Sequence, residues 1–265
     1  MYDLAYVRPG GLAEATALLE ADENATALAG GQTLLPVLRA RLASPSRLVD
    51  VARLAELKGM ALDGDRVVIG AAETHAAVSQ SPVVAGAIPA LGRLAGGIGD
   101  PQVRNRGTLG GAIANNDPAA CYPSAALALD AVIRTTRREI AAADFFTDLF
   151  STALEPGELV TAVMFPRCAQ AAYVKFPNPA SRFALIGVFA ARTAAGMRIA
   201  VTGAGAGVFR WREAELRIDA GGGVADLDDL ALPEDAFTSD LHGSADYRMH
   251  LARVMTGRAI AAVDA

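Results

Sequence analysis

Two glycine pairs, each at the end of a predicted strand, constrain the fold of this 265-residue chain more than any other feature. The first lies in Ala29-Gly30-Gly31-Gln32-Thr33 and the second in Thr108-Leu109-Gly110-Gly111. Because glycine has no Cβ, the backbone of such a turn lets a phosphate approach closely, and the threonine hydroxyls add donors. Either pair alone is equally typical of a plain tight turn. Together, 80 positions apart (110 − 30), they favour one diphosphate held from both sides.

The pattern around the first pair predicts a strand over 26–29, a glycine break, and a helix over 34–42. Asp63-Gly64-Asp65 predicts a hairpin turn into a further strand. Residues 96–107 carry many turn-forming residues and almost no periodicity, which predicts a long functional or disordered connection. Further strands are predicted over 48–51, 67–69, 131–135, 159–165, 173–176, 183–192 and 197–202. Helical structure is predicted in pieces over 74–95, and over 119–129, 145–150 and 247–262.

Composition narrows the class of protein. The chain has only two cysteines, Cys121 and Cys168, which are too few for a secreted disulfide scaffold. They are also too few for an iron–sulfur cluster, which takes about four thiolates. A reducing, cytoplasmic location is therefore expected, with any cluster held by a partner. Asp3 and Arg8 interrupt the N-terminal segment, so no export signal is expected, and the uncharged stretch 76–92 contains prolines and predicts no membrane span. The net charge of −5, with dispersed cations, argues against nucleic acid as a partner.

Other nucleotide and catalytic motifs are weak. Residues 203–208 begin like a dinucleotide fingerprint, but the sixth position is Val208 and no early βαβ unit surrounds it, so a strand end and a turn are predicted there. The sequence has no Walker-type phosphate loop. His75, His242 and His250 have no Cys or carboxylate at metal-ligand spacing, so they are interpreted as structural or exposed and no metal site is predicted. No Ser/His/Asp arrangement predicts a nucleophile, and no catalytic side chain is expected.

Two longer stretches carry a family resemblance. Residues 104–120, RNRGTLGGAIANNDPAA, and residues 28–36, LAGGQTLLP, closely resemble the FAD-binding (medium) subunit of the molybdenum hydroxylases, the family of carbon monoxide dehydrogenase-like enzymes and xanthine dehydrogenase. The likeness continues through 174–176, 183–188 and 247–251.

The resemblance implies an α+β fold with two domains. A two-subdomain FAD-binding domain of the vanillyl-alcohol oxidase/PCMH type would cover 1–168, with subdomains of about 1–55 and 56–168. A smaller α+β C-terminal domain over 169–265 would contain an antiparallel sheet and helices.

The resemblance also implies a site for FAD. Backbone groups of 29–34 and 108–112 would wrap the pyrophosphate, and the Thr33 and Thr108 hydroxyls would act as donors. Val160 would line the adenine end, Ile98 would lie against the cofactor, and Lys175 and Phe183 would lie near the flavin. The implied cofactor-binding residues are Ala29, Gly30, Gly31, Gln32, Thr33, Leu34, Ile98, Thr108, Leu109, Gly110, Gly111, Ala112, Asp117, Cys121, Val160, Lys175 and Phe183.

Two residues depart from the family pattern. Many relatives carry an acid at the position of Cys121, and the resemblance implies that this acid binds the sugar or adenine region of the cofactor. In this chain the contact is either lost or supplied by Asp117. Many relatives carry a Tyr at the position of Phe183, and the phenylalanine keeps the ring but lacks the hydroxyl.

Arg104 and Arg106 are interpreted either as phosphate partners or as a polar loop face.

Three functions are compatible with these features. In the first, which the motifs favour, the chain is the electron-transfer subunit of an oxidoreductase. A large molybdopterin subunit would oxidise the substrate, a small 2Fe–2S subunit would relay electrons, and this chain would pass them to NAD, a quinone or dioxygen, in a dimer of heterotrimers. The alternatives are a self-sufficient FAD-dependent oxidase or reductase of the vanillyl-alcohol oxidase fold and a non-catalytic nucleotide-binding module. The identity of the substrate has no signature in this chain.

Overall fold

The computed structural model describes residues 1–205 and 207–265, so Ala206, in the turn predicted over 203–208, lies outside the described residues. Near the N-terminus a parallel sheet has the strand order β1-β3-β2. Parallel neighbours need crossover connections, and a helix fills each of the two intervals along the chain. These elements are β1 Ala5–Val7, α1 Leu12–Glu20, β2 Ala25–Leu28, α2 Leu34–Arg39 and β3 Arg47–Asp50.

A five-stranded antiparallel sheet follows, with the order β4-β5-β10-β6-β7. Its strands are β4 Met60–Asp63, β5 Arg66–Gly70, β6 Val132–Thr135, β7 Glu139–Ala141 and β10 Val160–Pro166. The intervening hairpin consists of β8 Phe146–Asp148 and β9 Ser151–Thr152. The helices are α3 His75–Gln80, α4 Pro82–Ala87, α5 Pro89–Gly96, α6 Pro101–Arg104, α7 Leu109–Asn115, α8 Tyr122–Ala128 and α9 Ala142–Phe145.

A third, antiparallel sheet of four strands lies toward the C-terminus, in the order β11-β12-β13-β14. Its elements and the two following helices are β11 Ala171–Pro177, β12 Ala184–Thr193, β13 Gly196–Thr202, β14 Phe209–Arg210, α10 Arg212–Asp219 and α11 Ala245–Val263. Successive side chains of a strand point to opposite faces. On β12, Phe189 and Ala191 therefore enter the central core, whereas Val188 and Ala190 enter a separate core beneath α11. The sheet thus joins the two cores.

One local prediction was wrong. Residues 145–150 were predicted as a helical turn, but only Phe145 is helical, and β8 and β9 form a hairpin. The buried Asn116 side chain donates to the carbonyl oxygens of Asp148 and Ser151 at 2.9 and 2.7 Å, which stabilises that hairpin from a distant segment.

Residues 96–107 are ordered and contain the helical turn α6. The Asp100 side chain caps α6 by accepting from the backbone N–H of Val103 at 2.8 Å. The Arg104 guanidinium donates to the carbonyl oxygens of Ile98 and Gly99, both at 3.1 Å. Arg104 therefore holds its own loop together, and its Nη1 donates to backbone rather than facing a phosphate. The predicted domain boundaries stay a prediction.

Candidate functional site

A cavity of about 450 Å³ lies where the three sheets meet. It is lined by every predicted cofactor-binding residue except Leu109, whose side chain is fully buried in the central core. The lining residues among those predicted are Ala29, Gly30, Gly31, Gln32, Thr33, Leu34, Ile98, Thr108, Gly110, Gly111, Ala112, Asp117, Cys121, Val160, Lys175 and Phe183. The fold thus brings together residues that are more than 150 positions apart in the chain (183 − 29 = 154).

The first glycine turn presents unpaired backbone donors to the cavity. Gly31 has φ +71°, a left-handed conformation that favours glycine. Within the described residues, none of the backbone N–H groups of 30–34 donates a hydrogen bond. The Thr33 side chain does not cap α2, so its hydroxyl is also available. Buried or partly buried N–H groups are normally paired, and Gly30, Gly31 and Leu34 lie at such positions, so their unpaired donors fit an anionic ligand.

The second glycine turn has a different role. The N–H groups of Leu109 and Gly110 donate to the carbonyl oxygens of Glu73 and Ala71 at 2.9 and 2.8 Å. The N–H of Gly111 donates to Thr108 Oγ1 at 3.1 Å, and that of Ala112 donates to the Thr108 carbonyl. These four N–H groups are already paired within the protein. Of the backbone donors that 108–112 were predicted to offer a pyrophosphate, only the N–H of Thr108 is therefore unpaired within the described residues.

Glycine at these turns is required by close packing. A Cβ on Gly30 would lie 2.6 Å from Gly107 Cα, in the segment before the second turn. A Cβ on Gly110 would lie 2.5 Å from Ala71 Cβ, in the segment after β5. The glycines therefore let the turns lie against their neighbours, which brings both turns to one cavity wall.

The end of the cavity near Phe183 is organised by Lys175. Its ammonium group donates to the carbonyl oxygens of Gly97 and Arg182 at 2.8 and 3.0 Å, and its Nζ lies 3.8 Å from Cys121 Sγ. An ammonium has three hydrogens, and each has an acceptor here. Lys175 thus ties β11 to the ends of two loops and to the start of α8. Phe183 stands at the cavity edge with 46% of its surface exposed.

Asp117 and Cys121 line the cavity together. The Asp117 carboxylate accepts from the backbone N–H of Ala119 at 2.8 Å, but burial raises its pKa above the usual range. Cys121 is buried and free, as is Cys168. Which of Asp117 and Cys121 contacts a cofactor stays a prediction.

Sequence reasoning missed His75 and Tyr122 as cavity residues. His75 is 5% exposed, its Nδ1 has no partner, and its ring centroid lies 5.4 Å from that of Tyr122. Burial and the nearby Arg104 charge lower the pKa of His75 to about 4, so the ring is neutral at pH 7. Gly107 makes room for this ring, since a Cβ there would lie 2.6 Å from His75 Nε2. A histidine near the start of a predicted helical stretch gives no local sign of such burial.

No cluster of three or more His, Cys, Asp or Glu side chains suited to a metal ion occurs among residues 1–205 and 207–265. No helix in those residues is long and apolar enough to cross a membrane.

The chain matches one protein family over most of the N-terminal part. Residues 2–168 match the family described as the FAD binding domain in molybdopterin dehydrogenase.

Full-length relatives resemble the chain over nearly its whole length. It is 35% identical to the carbon monoxide dehydrogenase medium chain of Hydrogenophaga pseudoflava, covering 96% of this chain and 95% of that one. It is 34% identical to the nicotine 6-hydroxylase medium subunit of Paenarthrobacter nicotinovorans, with the same coverage. The structure superimposes on that of reconstituted CO dehydrogenase from Oligotropha carboxidovorans with a TM-score of 0.91 and 34% identity, covering 99% of this chain and 98% of the other. The predicted α+β fold class is confirmed.

Proposed function

The chain belongs to the FAD-binding family of molybdopterin dehydrogenases, as a medium subunit of the molybdenum hydroxylases, and from this premise we propose its place in an electron-transfer sequence. It receives electrons one at a time from a 2Fe–2S subunit and passes them in pairs to an external acceptor, either NAD, a quinone or dioxygen. A molybdopterin subunit carries out the oxidation of the substrate. We also propose that the three chains form a dimer of heterotrimers in the cytoplasm.

The observation that carries this proposal is the run of unpaired N–H groups at 30–34. These donors belong to residues that line a cavity with many apolar side chains, among them Leu57, Ile98, Val160 and Phe183. A ligand that combines a negatively charged diphosphate with largely apolar ring systems fits such a lining, and FAD is of that form. Bound FAD supplies redox chemistry in steps of one or two electrons.

The chain's own side chains bind and orient. His75 is neutral at pH 7 and enclosed, so it does not present a positive charge to the cavity. The cofactor-site cations in the described residues are Lys175, which is engaged with backbone carbonyls, and Arg182, both near Phe183. We therefore assign the pyrophosphate to backbone donors of the first turn and to the Thr33 and Thr108 hydroxyls.

The substrate of the complex is assigned to another subunit. A relative named for nicotine and a relative named for carbon monoxide are 34% and 35% identical to this chain. Two such different substrates, at equal similarity, fit a chain that does not contact the substrate.

Anaerobic mixing tests the proposal. A prereduced 2Fe–2S subunit is added to the FAD-loaded chain, and two reduced clusters should bleach the absorbance of one flavin. NAD, a quinone and dioxygen are then added separately, and the acceptor is the one that restores the absorbance. A flavin that stays oxidised, or a chain that oxidises the substrate of the complex without partners, would refute the electron-transfer role. A folded chain that never binds FAD would leave only the nucleotide-binding alternative.

A further inference from the structure

A second cavity, of about 270 Å³, lies behind the first glycine turn. It shares a wall with the cofactor cavity, because Ala29, Gly30, Gly31, Ala72 and Thr108 line both. Its charged and polar side chains come from β1 and the residue after it, the end of β3, the connection between β3 and β4, the residue before α3, and the segment between α6 and the second turn. We call it the basic basin, and its charged and polar lining residues are Tyr6, Arg8, Asp50, Arg53, Lys58, Thr74, Asn105 and Arg106.

The basic basin carries an excess of positive charge in a chain whose net charge is −5. Four cationic side chains line it, and the one carboxylate among its lining residues belongs to Asp50. That carboxylate is already satisfied, because it accepts from the Tyr6 hydroxyl and from the Ala52 N–H, and Arg8 Nε lies 3.7 Å from it. Asp50 therefore neutralises Arg8 and leaves the other three cations without a counter-charge in the basin.

Two of those cations have no partner in the protein. Within residues 1–205 and 207–265, the guanidinium groups of Arg53 and Arg106 form neither a hydrogen bond nor a salt bridge. Lys58 donates to the Ala72 carbonyl, at the shared wall, which directs its ammonium group toward the basin. Three cations thus line one concave surface, with Arg53 and Lys58 supplied by the connection between β3 and β4 and Arg106 by the segment before the second turn.

We propose that the basic basin binds a small anionic molecule through a phosphate or diphosphate group. A guanidinium presents parallel N–H groups that match two phosphate oxygens, and the pairing is charge-assisted. The Asn105 amide adds a neutral donor beside them. The cavity is concave and has room for a diphosphate, whereas a contact with an acidic protein surface would require a broader, flatter patch of cations. The four cations of the basin do not line the cofactor cavity, so this site is distinct from the FAD site although the two share a wall.

The test uses the 265-residue chain loaded with FAD, so that the cofactor cavity is filled. Inorganic pyrophosphate is titrated by calorimetry at constant ionic strength, with flavin fluorescence followed in parallel. We expect saturable binding of one pyrophosphate per chain without release of FAD. Arg53→Gln and Arg106→Gln should each weaken it by about tenfold or more, the scale expected for a charge-assisted contact. Arg212→Gln is the matched control, because Arg212 is exposed on α10 and lines neither cavity.

Four outcomes would overturn the proposal. One is the absence of saturable binding to the folded, FAD-loaded chain, and another is unchanged binding in both basin variants. Release of FAD in proportion to added pyrophosphate would place the anion in the cofactor cavity instead. Binding to the free chain that disappears in the assembled complex would identify the basin as a contact with a partner subunit.

Discussion

The hydroxyl of Thr202, at the end of β13, lies 2.8 Å from the carbonyl oxygen of Pro118, in the segment that follows α7. The same hydroxyl lies 2.8 Å from the Ala120 carbonyl, and the N–H of Gly203 donates to Pro118 at 2.7 Å. Asp117 and Cys121 flank this segment and line the cofactor cavity, whereas Thr202 and Gly203 do not line it. The end of β13 therefore positions part of the FAD site from outside the cavity.

We expect Thr202→Val to weaken both stability and FAD binding. The substitution removes the fully buried hydroxyl and costs about 1–3 kcal/mol, the range for leaving a buried acceptor unpaired. The free energy of unfolding in urea and the Kd for FAD are measured together. Thr202→Ser keeps the hydroxyl and should stay close to wild type in both. Tight FAD binding by a destabilised Thr202→Val would show that the contacts of Thr202 to Pro118 and Ala120 stabilise the fold without positioning the FAD site.

Thr33→Val should weaken FAD binding with little effect on folding. Thr33 is exposed and its hydroxyl does not cap α2, so loss of the hydroxyl removes a ligand contact alone. One neutral hydrogen bond corresponds to about 0.5–1.5 kcal/mol, or roughly a two- to tenfold rise in Kd. Flavin fluorescence on titration with the apoprotein measures this. Equal Kd values for Thr33→Val and Thr33→Ser would exclude the hydroxyl from the site.

Lys175→Met should loosen the Phe183 end of the cavity. The methionine side chain retains length but loses the contacts to Gly97, Arg182 and Cys121. We expect weaker FAD binding and stronger quenching of the bound flavin by iodide, because the two loops are no longer held together. Lys175→Arg, which keeps the charge and donors, is the control. If iodide quenches the Met variant and wild type equally, Lys175 does not organise this end.

His75 should make the protein acid-sensitive. Its pKa falls from 6.5 when unfolded to about 4 when folded, so the unfolded state takes up the proton first as the pH decreases. The stability from neutral His75 is complete above pH 6.5 and is lost toward pH 4, with about 2 kcal/mol lost between pH 8 and pH 5. Urea unfolding at both pH values should show this loss in wild type and a smaller one in His75→Gln. Identical pH dependence in the two proteins would contradict the burial of a neutral ring.

Gly110→Ala should destabilise the fold itself. The new Cβ would lie 2.5 Å from Ala71 Cβ and 2.8 Å from its carbonyl oxygen, and such overpacking costs about 1–3 kcal/mol. Gly86→Ala is the matched control, because Gly86 lies on α4 and a Cβ there meets nothing within 4 Å. It should stabilise the protein by up to about 1 kcal/mol. Loss of FAD from a Gly110→Ala protein of unchanged stability would indicate that the glycine instead admits the cofactor.

Local patterns predicted much of the architecture correctly. The strand–glycine–helix unit of β2 and α2, the hairpin of β4 and β5, and the broken helical stretch of α3 to α5 all depend on glycine, proline and turn residues, whose effects are local. The first helix and strand of the chain were not predicted, and the β8–β9 hairpin was predicted as a helical turn. That hairpin is stabilised by Asn116, 32 and 35 positions away from its two acceptors, so its nearest residues do not encode it.

The sequence by itself determined the family, the fold class and the two glycine turns, because those depend on residue types in a fixed order. Only the tertiary structure decided what each turn does. The carbonyl oxygens of Ala71 and Glu73 accept hydrogen bonds from N–H groups of the second turn. Within the described residues, the N–H groups of the first turn have no acceptor. Hydrogen-bond pairing and burial depend on segments far apart in the chain, which is also why the role of His75 in the cavity wall emerged only from the fold.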